Sequence, residues 1–317
     1  MTAETPKFPD WGDGLEDRLR ANYTLGPLTT LKIGGPAEWY YPAETTQELT
    51  SVLTRAREAG VKVTLLGDGS NMLISDLGIR GLVVHNRAKR IRRDGDDLIS
   101  ESGALLAALV DRARDESLTG LEFASGIYGS VGGAVYGNAG AYGKSVADIL
   151  VWADVLTQEG ERLRLQPGDL GFEYRKSACA RNKWVVLECR VALQPGEYQA
   201  IDDEVKRIIA IRATKLPTNL PSAGSYFKNI EDASAEYGKI PAGKLLEEVG
   251  AKSFRVGGAG VYEKHANVIV NLGGATAADV LALAEKMRVA VHERFGIDLQ
   301  NEVRFIGEPM PFAHVET

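Results

Sequence analysis

Cysteine is nearly absent from the chain. Cys179 and Cys189 are the only two in 317 residues, and nothing near them has metal-ligand spacing, so they read as reduced, partly buried thiols rather than a disulfide or a metal centre. No dense Lys/Arg tract occurs and the net charge is −6, which argues against a nucleic-acid partner. No apolar run reaches the length of a membrane span, and Met1-Thr2-Ala3-Glu4-Thr5-Pro6 lacks the basic-then-apolar pattern of a signal peptide. The expectation is a cytoplasmic protein. There is no internal repeat, no low-complexity region and no G-x-x-x-x-G-K-[ST] phosphate loop. What remains, at 44% hydrophobic and 25% charged residues, is an ordinary globular composition with length enough for two domains.

What the chain has in abundance is glycine, concentrated at Gly126 to Gly143: G-I-Y-G-S-V-G-G-A-V-Y-G-N-A-G-A-Y-G. Such a stretch is expected to be neither an ordinary helix nor an ordinary strand. Glycine permits close backbone approach and lets main-chain N–H groups converge on an anion, which points to a bulky, phosphate-bearing cofactor. A flexible linker would favour serine over Ile127, Val131, Val135, Tyr136 and Tyr142. A second turn, Gly67-Asp68-Gly69-Ser70-Asn71-Met72, follows an expected strand at Val61 to Leu66 and suits another part of the same ligand. Because Met72 breaks G-x-G-x-x-G, this is not a dinucleotide fingerprint of the Rossmann kind. The pairing of the two loops carries the inference.

Around these loops the pattern is α+β. Apolar spacing predicts a helix over Thr46 to Ala59 closed by Gly60, strands at Gly81 to Val84 and Leu98 to Ser102, and a helix from Leu105 to Glu116. A hairpin is expected across Glu159-Gly160 from Val151 to Leu165, and a strand at Trp184 to Leu193. A charged helix over Ile201 to Thr214 then leads to a proline-marked seam at Leu216 to Ala223. Beyond it come a short helix at Ala242 to Val249, a strand at Asn267 to Asn271, and a long helix over Thr276 to Phe295. For that helix Thr276 and Asp279 form the N-terminal cap, Gly296 the stop, and Val280, Ala284, Met287, Val291 and Phe295 a core face.

Three more segments stand out: Tyr174-Arg175-Lys176-Ser177, Ala223-Gly224-Ser225-Tyr226-Phe227-Lys228-Asn229, and Asn301-Glu302-Val303-Arg304. With T-L-K-I-G-G-P-A, G-S-N, N-A-G-A-Y-G, T-K-L-P and E-K-H-A-N in the same order, the chain resembles the UDP-N-acetylenolpyruvoylglucosamine reductases (MurB enzymes) from about Tyr23 to Gly307. The uninterrupted run from Ala223 to Gly307 and the E-K-H-A-N motif resemble the shorter, type II group. The resemblance implies an α+β fold. A vanillyl-alcohol-oxidase (PCMH) type FAD-binding domain would span 1–200, with its core at about 35–199 in two subdomains. A C-terminal α+β substrate-binding domain would follow at 201–309, then a tail at 310–317.

It further implies noncovalent FAD, NADPH as cosubstrate, the enolpyruvyl ether of UDP-N-acetylglucosamine as substrate, no metal, a monomer, and a place in peptidoglycan and cell-wall synthesis. By motif position the cofactor contacts would be Gly67, Asp68, Gly69, Ser70, Asn71, Met72, Gly126, Ile127, Gly129, Ser130, Gly132, Gly133, Asn138, Gly140, Ala141 and Tyr142. Tyr174, Lys215 and Asn229 would meet substrate. An enol ether accepts hydride poorly, so the site must stabilise charge developing on the substrate carboxylate, a task for the guanidinium fork of Arg175. Glu302 would hold the enol form as a hydrogen-bond or proton donor, and Ser225 would protonate the α-carbon. Without the motifs, Arg175 and Glu302 read as a structural ion pair and Ser225 as a turn residue. His265 reads equally well as an ordinary buried histidine and is left out of the catalytic set.

Two departures from the family pattern stand in the loops. Asp68 replaces a glycine, so its side chain is expected to face solvent or a cation, and Tyr128 replaces a proline, which loosens φ. An oxidase of the same fold is the rival reading, weakened because Gly126 to Gly143 holds no His or Cys for covalent flavin attachment. A noncatalytic flavin-binding protein would have no need of Arg175, Ser225 and Glu302 together.

Overall fold

The computed structural model describes residues 15–232 and 238–310; most of the expected tail lies outside the described residues. The chain divides into two compact units, each assembled from separate stretches. The described part of the first takes 15–20, 40–68 and 82–212, and that of the second 21–39, 69–81, 213–232 and 238–310.

In the first unit, five strands form an antiparallel sheet in the order Arg162–Leu165, Leu150–Leu156, Val185–Val191, Asp97–Glu101, Ile91–Asp94. The hairpin turns at Gly160, whose φ of 89° a side chain would resist. Helices Leu106–Asp115 and Val131–Tyr136 cover the sheet, burying Leu106, Leu109, Val131 and Val135 against Val155 and Val191. Helix Thr46–Glu58, with Thr45 capping the Glu48 amide, leads into strand Val63–Leu66, which pairs in parallel with 82–85. Both cysteines are free and fully buried rather than partly so, and burial pushes the thiols up to about 11 for Cys179 and about 12 for Cys189.

The glycine-rich segment departs from expectation by containing a helix, Val131–Tyr136. Two terms, a cap and burial, outweigh its glycines. The Ser130 hydroxyl accepts from the Gly133 amide at 3.2 Å, and Val131, Ala134 and Val135 go into the core, which offsets the roughly 1 kcal/mol that each helical glycine costs relative to alanine.

The second unit carries an antiparallel sheet ordered Ser222–Ser225, His265–Asn271, Ala259–Tyr262, Arg255–Val256. Helix Ala277–Phe295 starts from the predicted Thr276–Asp279 capping box and ends at Gly296 with φ 67°, and its Val280, Met287 and Val291 are fully buried. The segment 69–81 belongs here for a visible reason. Asp76 accepts from the Ala277 and Ala278 amides at 2.8 and 3.1 Å, a carboxylate placed on the positive end of the long helix. Strand Met72–Ile74 also pairs in parallel with Arg304–Ile306.

Candidate active site

In the first unit the two glycine loops meet. A Cβ on Gly67 would lie 2.7 Å from the Ser130 hydroxyl, so a side chain there would have to displace the serine. The glycine-rich segment is pinned beneath by Leu106 N to Gly129 O at 2.9 Å, Val131 N to Ala104 O at 2.8 Å and Gly132 N to Ser102 O at 2.8 Å. The Val131, Gly132 and Gly133 amides thus already have protein acceptors. Asp68 is half-buried and Tyr128 exposed. Tyr142, half-exposed, occupies the left-handed region at φ 53°.

Tyr174 and Arg175 are the central residues of a tight turn, in which the Glu173 and Lys176 main chains exchange hydrogen bonds of 3.2 Å. Arg175 sits at φ 58°, a conformation unusual for a branched-free but bulky side chain. Its guanidinium carbon stands 5.2 Å from the Tyr174 ring centroid, and Nη1 donates to Asn138 O at 3.5 Å. The turn is locked on its far side by Ser177, which donates to Tyr136 O at 2.7 Å and caps the Ala180 amide at 3.2 Å. The serine of Y-R-K-S is therefore structural.

In the second unit Ser225 follows Gly224, whose φ is 75°, at the end of its strand. The next residues are held by Asn267, which accepts from Phe227 N at 2.9 Å and donates to Phe227 O at 2.8 Å. Glu302 N donates to Tyr226 O at 2.8 Å, so the segments bearing Ser225 and Glu302 are joined one residue from Ser225. Asn71, itself part of the second unit, is held at the same place, its Nδ2 donating to Glu302 O at 3.2 Å and its carbonyl accepting from Arg304 N at 3.2 Å. Asn229 accepts from Ala242 N at 3.2 Å at the start of helix Ala242–Glu248. Lys215 is exposed. Burial, reinforced by the charge of Lys215, holds the His265 imidazole below its usual pKa.

Three residues outside the motifs lie at the glycine loops of the first unit. His85, paired with Leu66, takes a 2.8 Å hydrogen bond with the Tyr40 hydroxyl through Nδ1 and bonds the Gly67 main chain; burial, chiefly, lowers its pKa to about 4. Arg212 donates Nε–H to Gly126 O at 2.9 Å. Burial pulls its pKa down, with Tyr142 and Tyr128 opposing and Arg175 reinforcing the shift. Ser125 is 2% exposed, and its hydroxyl has no hydrogen-bond partner among the described residues. In the sequence, Ser125 lies one step before the glycine run and His85 is a lone imidazole in an apolar strand; Arg212 carries no signal within its charged helix.

Residues 38–166 match the model of an FAD binding domain, and 216–306 that of the UDP-N-acetylenolpyruvoylglucosamine reductase C-terminal domain. A UDP-N-acetylenolpyruvoylglucosamine reductase of Synechococcus sp. (strain JA-3-3Ab) is 42% identical over 92% of this chain and 93% of its own. That of Rubrobacter xylanophilus is 43% identical over 94% and 99%. The chain belongs to the UDP-N-acetylenolpyruvoylglucosamine reductase family. The crystal structure of the MurB reductase from Thermus caldophilus superposes with a TM-score of 0.76 at 34% identity, covering 90% of this chain and 97% of that one. The family's α+β architecture, an FAD-binding domain followed by the reductase C-terminal domain, is the fold of this chain.

The residues present fit a flavin dinucleotide. Ser125 leaves a buried hydroxyl unspent beside Gly126, the Gly67 and Ser130 loops approach so closely that a side chain on Gly67 would displace Ser130, and Arg212 and Arg175 supply positive charge near Tyr142.

Proposed function

We propose that the chain is an NADPH-dependent flavoenzyme that reduces UDP-N-acetyl-3-O-(1-carboxyvinyl)-glucosamine to UDP-N-acetylmuramate for peptidoglycan synthesis. The observation that carries this reading is the presence in one chain of an FAD-binding match at 38–166 and a reductase C-terminal match at 216–306. FAD, when bound, supplies the hydride that NADPH provides. Residues of the glycine loops hold the cofactor, with Ser125, Ser130 and Arg212 as the polar contributors of the first unit.

Arg175 pairs its planar fork with the substrate carboxylate and stabilises the negative charge that grows there as hydride arrives at the methylene carbon. Glu302 hydrogen-bonds the same carboxylate in its enol form. Ser225 gives its hydroxyl proton to the α-carbon; a weak acid suffices because an enolate carbon is strongly basic. Lys215, Tyr174 and Asn229 bind the UDP-sugar, the lysine through the diphosphate. The enzyme acts in the cytoplasm, where both nucleotides occur, and as a monomer; no helix among the described residues is long and apolar enough to cross a membrane.

Anaerobic visible spectra of the FAD-loaded protein test the reading. Flavin bands should bleach with NADPH and return on addition of the UDP-enolpyruvyl sugar, and a flavin that bleaches but is not reoxidised by that sugar would refute it.

A further inference from the structure

Asn138 carries the family's N-A-G-A-Y-G motif, yet its side-chain amide is spent on the protein. It is 8% exposed. Its Oδ1 accepts from Ala147 N at 3.1 Å, and its Nδ2 donates to Glu173 O at 3.1 Å. Its own carbonyl accepts from Arg175 Nη1 at 3.5 Å. One residue therefore grips the Arg175 turn twice, by the first residue of the turn and by the guanidinium itself. The residue sits at φ 44°, a left-handed conformation that asparagine tolerates better than other residues with a side chain, and this turns the carbonyl and the amide toward the same neighbour.

We propose that Asn138 is a positioning residue for Arg175. It acts on the reaction through the arginine, by fixing where the guanidinium fork is presented, and not as a cofactor contact. Bidentate pairing with a carboxylate is directional, so a loosened fork loses rate in the step that develops charge on that carboxylate. The inference rests on the role given to Arg175 above.

The test uses full-length, FAD-loaded protein and stopped-flow measurement of flavin reduction by NADPH and of reoxidation by the UDP-enolpyruvyl sugar. Asn138→Gly accepts the backbone conformation and removes both amide bonds. Asn138→Asp keeps the acceptor for Ala147 and loses the donor to Glu173. Both variants should lower the ratio of reoxidation to reduction rate constants by about tenfold or more. Asn138→Gly should add nothing further to the loss in Arg175→Ala, because the two residues act as one unit. Equal loss in both steps, a proportionate rise in the FAD dissociation constant, or a multiplicative effect in the double variant overturns the proposal. A loss in Arg175→Ala with none in either Asn138 variant sinks the positioning role alone, whereas no change of ratio in Arg175→Ala removes the role of Arg175 and this proposal together.

Discussion

Gly67 faces the Ser130 hydroxyl so closely that a methyl group on the glycine would sit 2.7 Å from the oxygen. The serine cannot swing away freely, because that oxygen caps the Gly133 amide. Gly67→Ala should cost about 1 kcal/mol of apoprotein stability through the lost cap and weaken FAD binding. Ser130→Ala removes the cap by another route. Denaturant titration should then show Gly67→Ala costing less in a Ser130→Ala background than alone, since the two share one contact; simple additivity would mean that the loops do not press on each other.

Ser225→Ala separates the half-reactions. NADPH should still bleach the flavin, while reoxidation by the UDP-enolpyruvyl sugar should slow by about 10²-fold or more, the scale of a positioned proton donor. Equal slowing of both steps in stopped-flow traces would assign Ser225 to the loop structure instead.

Arg175 holds a backbone conformation, φ 58°, that suits glycine. Arg175→Gly relieves about 1 kcal/mol of strain and returns a similar amount through unfolded-state entropy. Stability in urea should therefore stay within about 1 kcal/mol of wild type while reoxidation by the sugar collapses. A loss of several kcal/mol would show that the side chain serves the fold.

How far these residues were legible in the sequence follows from how local their signals are. The long helix announced itself through Thr276, Asp279 and Gly296, each acting within one turn, and the structure has that helix and that cap. The helix in the glycine-rich segment was hidden, because the burial that stabilises Val131 and Val135 comes from residues far along the chain. The motifs singled out Arg175 and Asn138 separately but gave no reason for the strained turn or for the contacts that join the two, and Arg212 reaches Gly126 across 86 residues. Segments 21–39 and 69–81 read as part of the N-terminal half, yet they pack with the C-terminal residues through contacts such as Asp76 on Ala277, which no local pattern encodes.

His85 makes stability depend on pH with a definite sign. Its pKa falls from 6.5 to about 4 in the folded protein, so between those values the unfolded chain binds the extra proton and the native state does not. This contribution is intact above pH 6.5 and is lost as pH falls toward 4, by about 3 kcal/mol at most and less with solvent screening. Urea midpoints measured across that window should fall more steeply for wild type than for His85→Gln. Identical slopes would show that the imidazole is not held neutral between Tyr40 and Gly67.

Ser125 gives the sharpest contrast, because its two roles predict opposite signs. A buried hydroxyl without a partner is a cost to the apoprotein, so Ser125→Ala should leave apoprotein stability unchanged or raise it by up to about 1 kcal/mol. If the hydroxyl is reserved for FAD, the same substitution should weaken cofactor binding by about five- to tenfold, the value of one hydrogen bond to a buried acceptor. Fluorescence titration of FAD into apoprotein, beside a thermal melt of the same sample, reads both. An alanine variant that gains stability and keeps full FAD affinity would remove Ser125 from the cofactor site, and a variant that loses stability would mean that the hydroxyl already has a partner within the fold.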